Sequence, residues 1–204
     1  MSSLIKKILL GLLLSVVTLP AIAKNTILVV GDSLSAAYGM RQEQGWAALL
    51  QQRLHDQQYD YQIINVSVSG DTTSNGLAKL PAALKQYQPA ITIIALGGND
   101  GLRGLPLVTI KKNLNEMIML AKDANSQVVL VGVRLPPNYG PAYTDGFQQI
   151  FETLASQNEI RVVPSMLQNI DEKKSAFQND GIHPTAAVQS AIMDNIWSTL
   201  KGLL

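Results

Sequence analysis

Two segments far apart in the chain carry side chains that can hydrolyse an ester. Residues 31–35 read Gly-Asp-Ser-Leu-Ser, and residues 180–184 read Asp-Gly-Ile-His-Pro. A serine hydroxyl becomes an effective nucleophile when a base accepts its proton and an acceptor orients that base. We therefore predict Ser33 as the nucleophile, His183 as the general base and Asp180 as the carboxylate that orients His183.

Two further segments hold groups that can stabilise the charge of such a reaction. Residues 69–73 read Ser-Gly-Asp-Thr-Thr, and residues 97–100 read Gly-Gly-Asn-Asp. The negative charge on a reacting carbonyl oxygen requires preorganised donors, which the backbone N–H groups of Ser33 and Gly70 and the side-chain amide of Asn99 can supply. A glycine at position 70 also leaves the approach of substrate open. Taken singly, each segment suits a turn or a helix cap, but their joint occurrence favours catalysis.

The other ionisable residues near these segments have simpler interpretations. Asp32, Asp71 and Asp100 are predicted to cap helices or to brace loops. The chain has 2 histidines, and His55 lies in a polar helical stretch that predicts a solvated side chain.

Short apolar runs alternate with amphipathic stretches and predict the elements that position these residues. Strands are predicted at residues 26–30, 62–66, 91–96, 128–133 and 161–163, and helices near 46–57, 74–86, 109–124, 145–158 and 185–200. Pro184 suits the first turn of the last helix. This alternation predicts an open parallel sheet with helices on both faces, in which ligands bind beyond the carboxyl ends of the strands. The longest irregular stretches are predicted at residues 97–108, 134–144 and 164–184.

Composition excludes several classes of protein. A length of 204 residues corresponds to one domain, and 47% hydrophobic with 15% charged residues predicts a folded globular chain. A net charge of +1 provides no basic surface for a nucleic acid. The absence of cysteine from the sequence excludes disulfides, thiolate metal sites and a cysteine nucleophile.

The first 23 residues have the pattern of a secretory signal peptide. Lys6 and Lys7 precede an apolar run at residues 8–19, and Ala-Ile-Ala follows Pro20. The run is shorter than the roughly 20 residues of a membrane-spanning helix. We predict cleavage after Ala23, a single domain at residues 24–204, export to the periplasm or secretion, no stable membrane anchor, and a monomer.

Together the four segments resemble the sequence blocks of the SGNH, or GDSL, hydrolase family, whose letters correspond here to Ser33, Gly70, Asn99 and His183. The resemblance implies a three-layer α/β/α, flavodoxin-like fold with a five-stranded parallel sheet. It also implies a triad of Ser33, His183 and Asp180, an oxyanion hole of Ser33, Gly70 and Asn99, and neither a metal nor an organic cofactor. Residues 31–39, 97–104 and 134–140 look most like the multifunctional periplasmic thioesterase, arylesterase and lysophospholipase branch.

Two apolar loops suggest where a substrate binds. Leu135, Pro136 and Tyr139 follow the fourth strand in a loop that resembles the mobile loop of that branch, and Leu102 and Leu105 follow Asn99. We predict a groove for medium or long acyl chains, with aryl esters, acyl thioesters and lysophospholipids as substrates. Ordinary surface loops remain the alternative for these residues. A carbohydrate O-acetylesterase and a non-catalytic acyl-chain binding protein remain alternatives for the function.

Overall fold

One parallel sheet forms the centre of the molecule. The computed structural model describes residues 25–170 and 174–204, so the predicted signal peptide lies outside the described residues. The strands are β1 (Asn25–Gly31), β2 (Tyr61–Asn65), β3 (Ile91–Ala95), β4 (Gln127–Val131) and β5 (Arg161–Val163). Their order is β2-β1-β3-β4-β5, and every neighbouring pair is parallel. The predicted five-stranded parallel sheet is confirmed.

Helices cover both faces of the sheet and complete the three layers. They are α1 (Trp46–Asp56), α2 (Thr73–Tyr87), α3 (Gly98–Leu102), α4 (Leu107–Asp123), α5 (Pro141–Asn158) and α6 (Gln189–Leu200). Side chains of a strand alternate between the two faces. Ile27 of β1 accordingly joins one core with residues of α1 and α6, and Leu28 joins a second core with residues of α2, α4 and α5. The continuous apolar run of β1 is therefore buried on both sides.

Several boundaries differ from those expected from the sequence. The predicted strand 128–133 ends at Val131, after which the chain continues beside β5 through the hydrogen bond from Gly132 N to Val163 O (2.9 Å). The predicted helix 145–158 begins earlier, at Pro141, because proline at the first helical positions loses no hydrogen bond. The stretch 97–108, predicted as irregular, contains the short helix α3.

The last helix also begins later than predicted. The sequence pattern predicts continuous helix over residues 185–200, but a 3-10 turn at Ala186–Val188 precedes α6. Pro184 lies before that turn and forms an isolated antiparallel bridge with Phe177. It therefore does not start a helix, and instead fixes the backbone directly after His183. Within the described ranges, none of the helices has the length and apolar character that a membrane crossing requires.

Candidate active site

The four sequence segments converge at the carboxyl edge of the sheet. Ser33 follows the end of β1 by two residues, and Asn99 lies in α3, which begins three residues after β3 ends. Gly70 lies in the turn after β2 that leads into α2, and His183 lies in the irregular segment before α6. The topology thus brings together residues from both ends of the chain, as expected of an open parallel sheet.

Ser33, His183 and Asp180 form a continuous chain of hydrogen bonds. His183 Nε2 lies 2.9 Å from Ser33 Oγ, and His183 Nδ1 lies 2.7 Å from Asp180 Oδ2. Nδ1 donates to the carboxylate in the tautomer that leaves Nε2 free to accept the serine proton. The imidazole therefore stands between the hydroxyl and the carboxylate with one ring nitrogen directed at each.

The loop around Asp180 holds this carboxylate in place. Its Oδ1 accepts hydrogen bonds from the backbone N–H groups of Ile182 (2.9 Å) and His183 (3.0 Å). The backbone N–H groups of His183 and Ile182, with the His183 side chain, lower the pKa of Asp180 to about 2. Asp180 thus remains ionised over the whole range in which a histidine titrates.

Two backbone amides of the sequence segments described above make no hydrogen bond within the part of the chain that the structure describes. Among the described residues, neither the Ser33 nor the Gly70 N–H donates to a protein acceptor. Gly70 has a φ of +85°, and a Cβ built there would meet nothing within 4 Å. Glycine at this position therefore satisfies the left-handed backbone and leaves the approach open.

Asn99 joins the segments that follow β1, β2 and β3. Its Nδ2 donates to the Asp71 carbonyl oxygen at 3.0 Å and to Asp32 Oδ2 at 3.3 Å. Both amide hydrogens are directed at protein acceptors, and the contact with Asp32 is the longer one.

Asp32 is a buried carboxylate directly before the serine. It is 3% exposed, and its Oδ1 accepts from Leu34 N at 3.0 Å. Burial raises the pKa of Asp32 to about 6. The Leu34 N–H and the charge of His183 oppose this shift, and the negative charges of Asp100 and Asp71 add to it. This group titrates between pH 5 and 7 rather than near pH 4.

The two other aspartates hold loops. Asp100 is buried and accepts from Thr73 N at 2.8 Å and Thr73 Oγ1 at 2.6 Å, which ties α3 to the start of α2. Asp71 forms an ion pair with Lys79, whose ammonium also donates to the Val66 carbonyl. His55 lies on α1 with its side chain 78% exposed, away from the cavity.

A cavity of about 940 Å³ opens beside Ser33 and His183. Three of the five predicted substrate contacts, Leu102, Leu135 and Pro136, lie on its wall. Its wall also contains apolar side chains that the sequence pattern did not indicate, namely Leu34, Val133, Leu167, Phe177 and Ile182. Charged and amide side chains line it as well, namely Arg134, Lys174, Gln178 and Asn179. Most of these lie at strand ends or in irregular segments, where no periodic pattern indicates direction.

The structure does not bring Leu105 and Tyr139 to this wall. Leu105 packs against the core formed with α2, α4 and α5. Tyr139 donates its hydroxyl hydrogen to the Leu102 carbonyl oxygen at 2.7 Å. Tyr139 therefore connects the loop after β4 to α3.

The fold and this site define a class of protein. Serine hydrolases have a serine, a histidine and an aspartate joined by hydrogen bonds, with backbone N–H donors available nearby. The same three residue types are joined in this way at the edge of the sheet. The chain belongs to the GDSL-like Lipase/Acylhydrolase family, whose model matches residues 29–191. It is therefore a carboxylic ester hydrolase.

Characterised relatives cover nearly the whole chain. Esterase TesA of Pseudomonas aeruginosa is 47% identical over 182 residues, which are 89% of this chain and 90% of that protein. Thioesterase 1/protease 1/lysophospholipase L1 of Escherichia coli K12 is 39% identical over 193 residues, 95% of this chain and 91% of that protein. The crystal structure of the psychrotrophic esterase EstA from Pseudoalteromonas sp., inhibited by monoethylphosphonate, is 39% identical, with a TM-score of 0.83 over 87% of this chain and 97% of that one.

Proposed function

We propose that the protein hydrolyses acyl esters and thioesters through an acyl enzyme on Ser33. The observation that carries the proposal is the hydrogen-bond chain from Ser33 Oγ through His183 to Asp180, open to a large apolar cavity. Ser33 Oγ attacks the carbonyl carbon while His183 Nε2 takes the hydroxyl proton. The ionised Asp180 orients the imidazole and stabilises the imidazolium that forms.

The oxyanion is bound by the backbone N–H groups of Ser33 and Gly70 and by Asn99 Nδ2. The imidazolium of His183 then protonates the leaving alcohol or thiol, and the acyl group stays on Ser33. Water attacks this ester as His183 takes its proton, and the second tetrahedral intermediate releases the carboxylic acid. Ser33 recovers its proton from His183, which completes the cycle.

The cavity supports acyl chains longer than acetate. Its volume of about 940 Å³ and its wall of leucine, valine, proline, phenylalanine and isoleucine side chains suit an extended hydrocarbon chain. Names of relatives, such as thioesterase and lysophospholipase, support leaving groups of more than one kind. We therefore propose aryl esters, acyl thioesters and lysophospholipids as substrates in overlapping use.

The test is hydrolysis of p-nitrophenyl esters from acetate to palmitate by the domain of residues 24–204. We expect kcat/KM to rise beyond acetate toward medium or long chains, and the activity to be lost in Ser33→Ala. Cleavage of acetate alone would favour a carbohydrate O-acetylesterase. Binding of fatty acid without turnover would favour the acyl-chain binding protein.

We also propose that residues 1–23 are a signal peptide and that the domain of residues 24–204 acts as an exported monomer. The charged start, the short apolar run and the Ala-Ile-Ala sequence support export. Mass spectrometry of the protein released from the periplasm of an expressing bacterium should give an N-terminus at Lys24. Retention of residues 1–23 would contradict this, and light scattering gives the oligomeric state.

A further inference from the structure

Hydrogen bonds outside the triad connect the segments that carry Ser33 and His183, which lie 150 residues apart. The side-chain amide of Gln178 donates to the Tyr38 carbonyl oxygen at 2.9 Å and to the Pro184 carbonyl oxygen at 3.1 Å. The Gln178 backbone N–H donates to the His183 carbonyl oxygen at 2.8 Å. A single residue therefore ties the backbone after His183 to the turn that begins at Ser33.

The ring of Tyr38 lies against the imidazole of His183. The two ring centroids are 4.3 Å apart, and the planes are tilted by 36°. Tyr38 is 48% exposed, so burial in the core does not account for the position of this large side chain. The ring covers one face of the imidazole, while the two ring nitrogens of His183 face Ser33 and Asp180.

The residues on both sides of Tyr38 have positive φ angles. Ala37 has a φ of +55°, a left-handed conformation that side chains other than glycine rarely adopt. Gly39 has a φ of +73°, and a Cβ there would overlap Gln178 Oε1. The turn therefore has a left-handed residue on each side of Tyr38. The glycine at position 39 leaves room for the Gln178 side chain beside this turn.

We propose that Tyr38 and Gln178 form a clamp that holds the His183 imidazole with Nε2 facing Ser33 Oγ. Both are positioning residues, and the inference rests on the proposed role of His183 as the base. The side chain of Asp180 is 39% exposed, so water competes for the carboxylate that orients Nδ1. Contact with Tyr38 adds a second restraint on ring rotation to the one that this hydrogen bond provides.

Steady-state kinetics with p-nitrophenyl butyrate test the clamp. Tyr38→Leu removes the aromatic face, and Tyr38→Phe keeps it without the hydroxyl. Gln178→Met fills a similar volume without the two donors. We expect Tyr38→Leu and Gln178→Met to lower kcat between about 10-fold and 100-fold with KM nearly unchanged, since displacement of a catalytic group by an ångström has effects of this size.

Tyr38→Phe should retain kcat within about a factor of two, because the stacking surface remains. The matched control is Met119→Ala, a half-exposed apolar side chain on α4 away from the site, which should be unchanged. The double variant Tyr38→Leu/Gln178→Met should lose much less than the product of the single losses, because both residues act through the same imidazole. Circular dichroism verifies that each variant is folded.

Three outcomes overturn the clamp alone, and a fourth overturns it together with the proposed function. A rise in KM with kcat unchanged assigns Tyr38 to substrate binding. An equal loss in Tyr38→Phe and Tyr38→Leu shows that the hydroxyl matters rather than the ring. Unchanged kinetics in folded Tyr38→Leu and Gln178→Met would reject the clamp and leave Ser33-dependent hydrolysis intact. Full activity in Ser33→Ala would reject the proposed function and the clamp together.

Discussion

At the residue scale, Asn99 is the donor whose contacts must rearrange during the proposed reaction. Its Nδ2 is shared between the Asp71 carbonyl and the Asp32 carboxylate, and the second contact is the longer at 3.3 Å. In the proposed reaction we expect the oxyanion to displace the longer contact, with Asp32. The two contacts hold the amide of Asn99 in place in the absence of substrate.

Replacement of Asn99 by alanine should act on turnover. We expect Asn99→Ala to lower kcat by about 10² to 10³ with KM little changed, because the lost hydrogen bond forms fully only with the oxyanion. Steady-state kinetics on a p-nitrophenyl ester measure both constants. A decrease in kcat of less than about 10-fold would contradict a role for Asn99 in the oxyanion hole.

Asp32 should make stability depend on pH. Its pKa is raised by burial from 3.8 to about 6, so the folded state retains a proton that the unfolded chain has already released. The stabilisation linked to this proton is present below about pH 4 and is lost as pH rises through about 6. The two pKa values differ by an amount that corresponds to about 3 kcal/mol.

The asparagine side chain in Asp32→Asn cannot ionise, so this variant should not lose this part of its stability as pH rises through about 6. The free energy of unfolding of Asp32→Asn minus that of wild type should therefore rise by about 2 kcal/mol from pH 4 to pH 8. Urea denaturation at pH 4, 6 and 8 measures the difference. A difference between the two proteins that stays constant with pH would contradict a raised pKa for Asp32.

His55 provides the matched control for the histidine assignment. It is exposed on α1, and His183 alone of the two histidines contacts Ser33. We expect His55→Ala to retain activity within about a factor of two, whereas His183→Ala should lose nearly all of it. A large loss in His55→Ala would overturn the assignment of the base.

At the element scale, the join between β4 and β5 leaves no room for a side chain. Gly132 follows β4, and a Cβ there would overlap the Pro164 carbonyl oxygen and lie 3.3 Å from the Phe151 ring. The Pro164 carbonyl is part of the backbone, so it cannot move aside as the end of a flexible side chain can. Gly132→Ala should therefore force β4 and the segment after β5 apart.

We expect Gly132→Ala to lower the free energy of unfolding by about 1 to 3 kcal/mol, the range typical of overpacking in a core. For a domain of this size, that corresponds to a fall in Tm of roughly 2 to 12 °C. Gly202→Ala is the control, since Gly202 is exposed in the last turn of the chain and a Cβ there would meet nothing within 4 Å. A Tm for Gly132→Ala equal to that of wild type would contradict the close approach.

Elements with a strong apolar pattern were predictable, and irregular segments were not. The strand β1 and the segments at its carboxyl edge follow from local sequence, because side-chain pattern and position in the alternation determine them. The direction of Gln178 and Tyr139 depends on how the irregular residues 134–144 and 174–184 cross the edge of the sheet. No periodicity reports that path, so Leu105 and Tyr139 were expected at the cavity, while Phe177 and Leu167 were not.

At the scale of the whole molecule, the parallel sheet assembles a site from residues spread along the chain. The proposed nucleophile follows the first strand, the proposed donors Gly70 and Asn99 follow the second and third strands, and the proposed base precedes the last helix. A substitution that loosens the packing between these elements should therefore reduce activity before it unfolds the protein. The family match over residues 29–191 agrees with a site that uses nearly the full domain.

Covalent labelling of the intact domain by a p-nitrophenyl phosphonate, followed by peptide mass spectrometry, shows directly whether Ser33 is the nucleophile. We predict one adduct per chain, on Ser33, formed in step with loss of esterase activity and greatly slowed in His183→Ala. An adduct on another residue, or esterase activity that persists after Ser33 is fully labelled, would contradict Ser33 as the nucleophile.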